Sequence, residues 1–293
     1  MVESFLKYIS YEKRYSPHTV NSYQHDLKQF TTYVSEKFDI SDLKEGTQMM
    51  VRSWILSMMD EGMTARSVNR KIASLRSYYK FLLRREVIQK DPTTRVKLLK
   101  TPKDLPGFVD EKELVIELDG DNFKEGFDGQ RQRVIMELLY GTGIRLSELI
   151  GLKESDLNRH ENTIKVLGKR NKERIIPVSR ALLAVIDAYL DEKNHAFGAH
   201  PNGPLIVNNS GEKAYPMLIY RTVKDYLENL DSTEKKSPHV LRHTFATHLL
   251  NKGADLNAVK DLLGHSSLAA TQVYTHNSLE KLKQVFDQAH PKA

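Results

Sequence analysis

The sequence predicts a mainly α-helical protein of two domains, with one small antiparallel β-sheet in the second. Three observations carry this. Apolar residues recur at three- and four-residue intervals along most of the 293-residue chain, the spacing that lines one face of a helix. One stretch breaks the rhythm: 163–167 and 174–178 are short β-rich runs flanking 168–172, the pattern of a hairpin. The segment 101–107 carries two prolines and a glycine without apolar periodicity, so it reads as a linker between a first domain, 1–100, and a second, 108–293.

In the first domain, Ser16 before Pro17 is a helix start, and Val20, Tyr23, Leu27, Phe30 and Val34 continue it at helical spacing. A shorter helix spans 50–59 around Trp54 and Ile55 and closes near Gly62. A third has Val68, Ile72, Leu75, Tyr79 and Leu82 on one face and Arg66, Arg70, Arg76, Lys80 and Arg84 elsewhere around it. The first domain is therefore expected to be a bundle of about four helices. In the second, helices are expected at 111–118, 130–140, 146–151, 179–192, 216–229, 238–251, 256–263 and 267–274, with a terminal amphipathic helix from Ser278. Leu279, Leu282, Val285 and Phe286 share a face of that last helix, which needs its own domain or a neighbour to pack on.

Composition narrows the chemistry. The chain has no cysteine, which excludes disulfides, Cys-ligated zinc and thiol catalysis. No run of about 18 apolar residues reads as a membrane span, and the first residues lack a signal-peptide core, so a cytoplasmic protein is expected. The net charge is +6, and the excess lies wholly in residues 1–107, with 19 Lys/Arg against 12 Asp/Glu. The run from Arg66 to Lys103 is opposed only by Glu86 and Asp91, which points to a polyanionic partner. No metal site is expected. Asp119-Gly-Asp-Asn122 fails the calcium-loop pattern at Phe123 and Lys124, and the carboxylates form no paired cluster.

Candidate catalytic residues lie in the second domain. Ser237-Pro238 opens a helix on which His239, Arg242 and His243 fall at i, i+3 and i+4, able to meet one phosphate near the helix N-terminus. A solvated polar face gives the same pattern. His239 and His243 also have zinc-ligand spacing, but Val240 stands where HExxH requires glutamate. Arg145 follows the glycine-rich break 140–143, which aims it into a cleft or leaves it on the surface. His265 sits in a tight turn between two helices, where an imidazole taken alone reads as a capping residue, and Tyr274 lies at the end of the helix that follows.

Together these stretches resemble one family. GTGIRLSEL, VLGKRNKERIIPV, SPHVLRHTFATHLL and VKDLLGHSSLAATQVYTH, with SPHTVNSYQHDLKQF in the first half and the tail SLEKLKQVFDQAHPKA, resemble the tyrosine recombinase (integrase) family, most closely its Xer branch. The resemblance covers nearly the whole chain. It implies an N-terminal SAM-like helical domain that binds core DNA, and a mainly α catalytic domain with an exchanged C-terminal helix. It also implies that Arg145, Lys169, His239, Arg242 and His265 activate a phosphodiester that Tyr274 attacks. Arg170 departs from the closest relatives, which often carry glycine there.

Several expectations follow from that resemblance. Double-stranded DNA is cut and rejoined through a 3′-phosphotyrosyl link with no metal, ATP or other cofactor, and Lys169 protonates the leaving 5′-oxygen. DNA contacts are expected from Arg66, Arg70, Arg76, Lys80, Arg84, Arg170 and Lys172. Four protomers assemble on two DNA sites, with or without a second Xer recombinase and an FtsK-type translocase, and Leu282, Val285 and Phe286 contact the adjacent protomer. Resolution of chromosome dimers at segregation is the expected role. A mobile-element integrase, a type IB topoisomerase and a catalytically silent DNA-binding regulator are the rivals.

Overall fold

The computed structural model describes residues 1–102, 107–120, 123–168, 171–228, 230, 236–264 and 276–292, with backbone alone for 276–279 and 281. The chain divides into two compact units, Met1–Asp104 and Leu105–Ala293.

The first unit packs four α-helices, α1 (Val2–Lys7), α2 (Pro17–Phe38), α3 (Gln48–Asp60) and α4 (Ala65–Arg84). Three of them begin on a hydroxyl cap: Ser16, Thr47 and Thr64 each accept the backbone N–H three residues on, at 3.3 Å. Each such cap is worth about 1 kcal/mol. The predicted apolar stripes meet in one core, where Leu27, Phe30 and Val34 of α2 pack with Val51 and Trp54 of α3 and with Val68, Ile72, Leu75, Tyr79 and Leu82 of α4.

A buried carboxylate ties α2 to α4. Asp26 accepts from Arg70 Nη1 and Nη2 at 2.6 and 2.7 Å, from Lys71 Nζ at 3.1 Å and from Ser74 Oγ at 2.7 Å. Arg70, expected as a DNA contact, spends its fork on Asp26 with half of its side chain exposed, because a carboxylate with no solvent access must be paired. Arg76 is likewise turned inward to the Val96 carbonyl, and Arg84 donates to the Tyr8 hydroxyl at 3.3 Å. Arg66 and Lys80 are exposed.

The second unit is built around α6 (Gly126–Thr142), whose residues 134–142 are all buried, beneath α8 (Arg180–Phe197), α9 (Pro216–Leu227) and α10 (Pro238–Asn251). Around these lie α5 (Glu111–Asp119), α7 (Leu146–Gly151), α11 (Leu256–Leu263) and α12 (His276–Ala289). The expected hairpin is present: β2 (Thr163–Leu167) pairs antiparallel with β3 (Glu173–Pro177), placing Ile164 opposite Ile176 and Val166 opposite Arg174. A two-residue strand, β1 (Leu157–Asn158), extends the sheet in the order β1-β2-β3 and is too short to show as a sequence pattern. The helix expected at 267–274 lies outside the described residues. Among the described residues no helix is long and apolar enough to cross a membrane.

The terminal helix packs on its own unit, one of the two seats expected for it. Leu282 and Phe286 are buried in the core of their own unit, and α12 lies against β3, α10 and α11, with Val285 half-buried. These residues do not stand open for a neighbour in the single chain, because an amphipathic helix buries its apolar face wherever a hydrophobic seat is at hand. Beyond it, the His290 ring stacks on Phe286 at 4.7 Å and lies near Tyr140 and Phe245. Lys292 pairs with the buried Glu137 and, at 2.9 Å, with Asp119.

Burial pushes the His290 imidazole down to about 3, from an ordinary value of 6.5. A histidine whose folded value is depressed contributes stability above its unfolded value and loses it as the unfolded chain takes up a proton below that point. The melting temperature should therefore fall between pH 7 and pH 5 more steeply in the native chain than in His290→Phe. Parallel melting curves across that range check this, and equal slopes would exclude His290 as the group.

Candidate active site

Gly143 ends α6 in the left-handed conformation, at φ +60°, and a side chain there would run into the Phe245 ring. Only glycine meets both demands. The chain then turns through Ile144 into Arg145, which stands at the N-cap of α7. The carboxylate of Glu148, three residues on, accepts the Arg145 backbone N–H at 2.8 Å and its Nη1 at 2.7 Å. A capping interaction thus fixes both the backbone and the side chain of Arg145.

Arg242 comes from α10 and is 6% exposed. Its Nη1 donates to the Gly143 carbonyl and its Nη2 to the Leu263 carbonyl, the latter at 2.6 Å. The sequence suggested a polar face for His239, Arg242 and His243. The structure separates them: His239 is exposed, His243 is half-buried, and Arg242 is drawn inward by those two carbonyls.

A third arginine completes the arrangement. Arg174 of β3 donates through Nη1 and Nη2 to the two Glu148 oxygens at 3.0 and 2.8 Å, and through Nε to the Leu262 carbonyl at 2.8 Å. Arg145 Nη2 reaches the Gly264 carbonyl at 3.4 Å. Three guanidiniums from three elements therefore cap the successive carbonyls of Leu262, Leu263 and Gly264, where α11 ends in a left-handed glycine at φ +63°. The last carbonyls of a helix lack intrahelical donors and carry its negative dipole end, so cations are at home there.

Charge is unbalanced. Among the described residues, Arg145, Arg174 and Arg242 face one carboxylate, Glu148, a local excess of two positive charges. Burial by itself would raise the Glu148 carboxyl, but the hydrogen bonds and charge of Arg174, then those of Arg145, hold it at about 2. Burial and the neighbouring charge of Arg145 lower Arg242 to about 10, which leaves it cationic at neutral pH.

The structure thus brings Arg145 and Arg242 together. His239 lies one helical turn from Arg242 on α10, and Lys172 is exposed beside the hairpin. Lys169, Arg170, His265 and Tyr274 fall outside the described residues. Among the described residues no three His, Asp or Glu side chains gather at metal-binding range. Sequence reasoning missed Glu148 and Arg174. Glu148 had the spacing of a capping glutamate behind Arg145. Arg174 stood two residues before Ile176, hence on the inward face of its strand.

The sequence profile of the phage integrase family matches residues 119–281, and that of the phage integrase N-terminal SAM-like domain matches residues 2–86. The chain belongs to the phage integrase family. It is 38% identical to a tyrosine recombinase XerC of Myxococcus xanthus, covering all of this chain and 98% of that protein. It is 36% identical to a tyrosine recombinase XerD of Staphylococcus haemolyticus, covering all of this chain and 99% of the relative. Among solved structures, the XerH recombinase bound to palindromic difH substrate superposes with a TM-score of 0.73 at 22% identity, covering 97% of this chain and 83% of that one. A lambda integrase tetramer bound to a Holliday junction gives 0.69 at 18% identity, covering 92% and 74%. These two likenesses show a shared integrase fold, and the closer relatives make the chain a tyrosine site-specific recombinase of the Xer kind. Arg145, Lys169, His239, Arg242, His265 and Tyr274 all fall inside the stretch matched by the integrase profile.

Glu148 is the shared partner in this arginine cluster, and neutralising it strands two guanidiniums. Glu148→Gln should cost on the order of 3–5 kcal/mol of stability at pH 7, the range for breaking one partner of a buried ion pair. Because the folded carboxyl lies below its unfolded value of 4.5, its contribution is present above that value and lost as pH falls toward about 2. Urea unfolding at pH 7 and pH 3 checks both points: the gap between native chain and variant should narrow at the lower pH.

Proposed function

We propose that the enzyme cuts and rejoins DNA through a covalent 3′-phosphotyrosyl intermediate formed on Tyr274. The observation that carries this reading is the pair Arg145 and Arg242, held side by side in a site with surplus positive charge. Each guanidinium keeps donors beyond those spent on carbonyls and on Glu148, and a forked cation suits the non-bridging oxygens of a phosphate. As phosphorus becomes five-coordinate the charge on those oxygens grows, so fixed donors stabilise the transition state more than the ground state.

In the step proposed, the Tyr274 oxygen forms the new bond to phosphorus and the bond to the 5′-oxygen breaks. The phenol proton passes to a neighbouring base such as His239, with His265 beside the phosphate, and Lys169 protonates the departing 5′-oxygen. The phenol needs this help, since its ordinary pKa is near about 10. The phosphotyrosine conserves the energy of the broken bond, and a 5′-hydroxyl of a second strand reverses the attack. No ATP, metal or other cofactor is required in this scheme.

The first unit, with its basic excess, is the proposed holder of core DNA, with Arg66 and Lys80 as backbone contacts and Arg76, Arg84 and Arg70 in lesser roles. Arg170 and Lys172 would serve from the hairpin of the second unit. The exposed face of α9, with Tyr220, Arg221 and Lys224, is a further candidate that lies beside α7 and α10. Four protomers on two sites form the working assembly, in which α12 would leave its own seat for a neighbour's. With Xer relatives over the full length, the favoured role is resolution of chromosome dimers in the cytoplasm, alone or with a second Xer recombinase and an FtsK-type translocase. Mobile-element integration is the alternative.

A nicked suicide duplex carrying a Xer-type site, incubated in chelator and run on a denaturing gel, tests the chemistry. The native chain should give a covalent band and Tyr274→Phe should bind DNA without one; a band retained by the variant would overturn the assignment. Arg145→Ala should slow adduct formation by about 10²–10³-fold, the range for loss of one preorganised donor.

A further inference from the structure

Arg174 is not among the residues assigned to the phosphate, yet the site converges on it. It is 5% exposed. From β3 its two Nη atoms grip both oxygens of Glu148 while Nε holds the Leu262 carbonyl. Glu148 uses the same two oxygens on Arg145, one for the guanidinium and one for the backbone N–H. The surroundings are shaped to this side chain: a Cβ added to Gly264 would lie 3.1 Å from Arg174 Cδ, and one added to Gly168 would lie 3.5 Å from Arg174 Nη1.

We infer that Arg174 is a positioning residue for catalysis: through Glu148 it fixes the rotamer of Arg145, and through Leu262 it fixes the end of α11, from which the chain leads to His265. The inference rests on the phosphoryl-transfer reading given above. A side chain with three donors in one plane is needed, because the two carboxylate oxygens and the carbonyl lie on different elements. Lysine, a single point charge, reaches part of this set. The arrangement also links the hairpin strand that follows Lys169 to the arginine clamp, so both respond to one group.

A bland alternative is that Arg174 only fills the core. Two measurements separate the readings. In single-turnover cleavage of the nicked Xer-type duplex, Arg174→Gln should slow adduct formation by about 10-fold or more while the DNA dissociation constant stays within about twofold, with Arg174→Lys between it and the native chain. The double variant with Glu148→Gln should be no slower than the slower single variant, since both act along one chain of contacts. Arg174→Gln should also gain an acidic limb in its rate profile between pH 5 and pH 7, as Glu148 loses the partner that keeps it ionised. Native cleavage rates in Arg174→Gln, additive losses or an unchanged pH profile would overturn the inference.

The second measurement needs no cleavage. In DNA-free protein labelled with ¹⁵N-arginine, the Arg145 Nε–H resonance, assigned through Arg145→Lys, should report an ordered side chain in the native protein and a mobile one in Arg174→Gln. Arg145 remaining equally ordered would overturn the inference. Should the native chain form no adduct, the cleavage reading falls while this measurement still decides whether Arg174 orders Arg145. If Arg174→Gln does not fold, Arg174→Lys carries the same comparisons.

Discussion

The end of α11 is the point on which the arginine cluster of the second unit depends. Three consecutive carbonyls, of Leu262, Leu263 and Gly264, receive guanidiniums from β3, α10 and the start of α7. A helix C-terminus supplies partial negative charge without a carboxylate that would neutralise its cations fully. This solves a difficult problem in site construction. A buried guanidinium must be paired to be tolerated, yet a fully neutralised one has little left for a substrate phosphate. Backbone carbonyls satisfy individual N–H groups and leave the formal charge in place. Among the described residues the one carboxylate there, Glu148, then sets geometry without cancelling the surplus.

The two units use related means to different ends. In the first, Asp26 brackets Arg70 and Lys71 between α2 and α4, two cations on one carboxylate, in the middle of a helix bundle. There the arrangement joins two helices and no reactive group is near among the described residues. In the second, Glu148 brackets Arg145 and Arg174, and in both joints one of the two cations is partly exposed, Arg70 by 50% of its side chain and Arg145 by 37%. The difference lies in the elements bridged. The first joins a pair of helices, whereas the second joins a helix start to a strand that also holds a helix end.

Much of this was legible in the sequence. Helical periodicity placed the stripes of α2 and α4, the β-rich runs placed the hairpin, and the glycine-rich break marked where Arg145 begins α7. Arg145 and Arg242 could be named because glycine breaks and proline-opened helices leave local signals. Which cations are free could not be read. Arg70 and Arg66 stand on the same helix, and only the buried Asp26, 44 residues before Arg70, distinguishes them. Arg174 and Glu148 are 26 residues apart, so the sequence showed two ordinary charges where the fold makes one joint. Leu282 and Phe286 gave a clear amphipathic pattern, but a pattern states that a face is apolar and leaves open whose core it enters.

The left-handed turns at Gly143 and Gly264 have a further consequence. Each glycine presents its own carbonyl to one of the clamp arginines, Arg242 and Arg145 respectively, and Leu262 and Leu263 present theirs beside Gly264. All four acceptors are therefore main-chain atoms, which no codon change can delete. Inheritance can alter this half of the site only by moving the backbone. The side-chain half, three arginines and one glutamate, has no such protection, so loss-of-function changes in the clamp should concentrate in those four codons and in the two glycines that set the path of the chain.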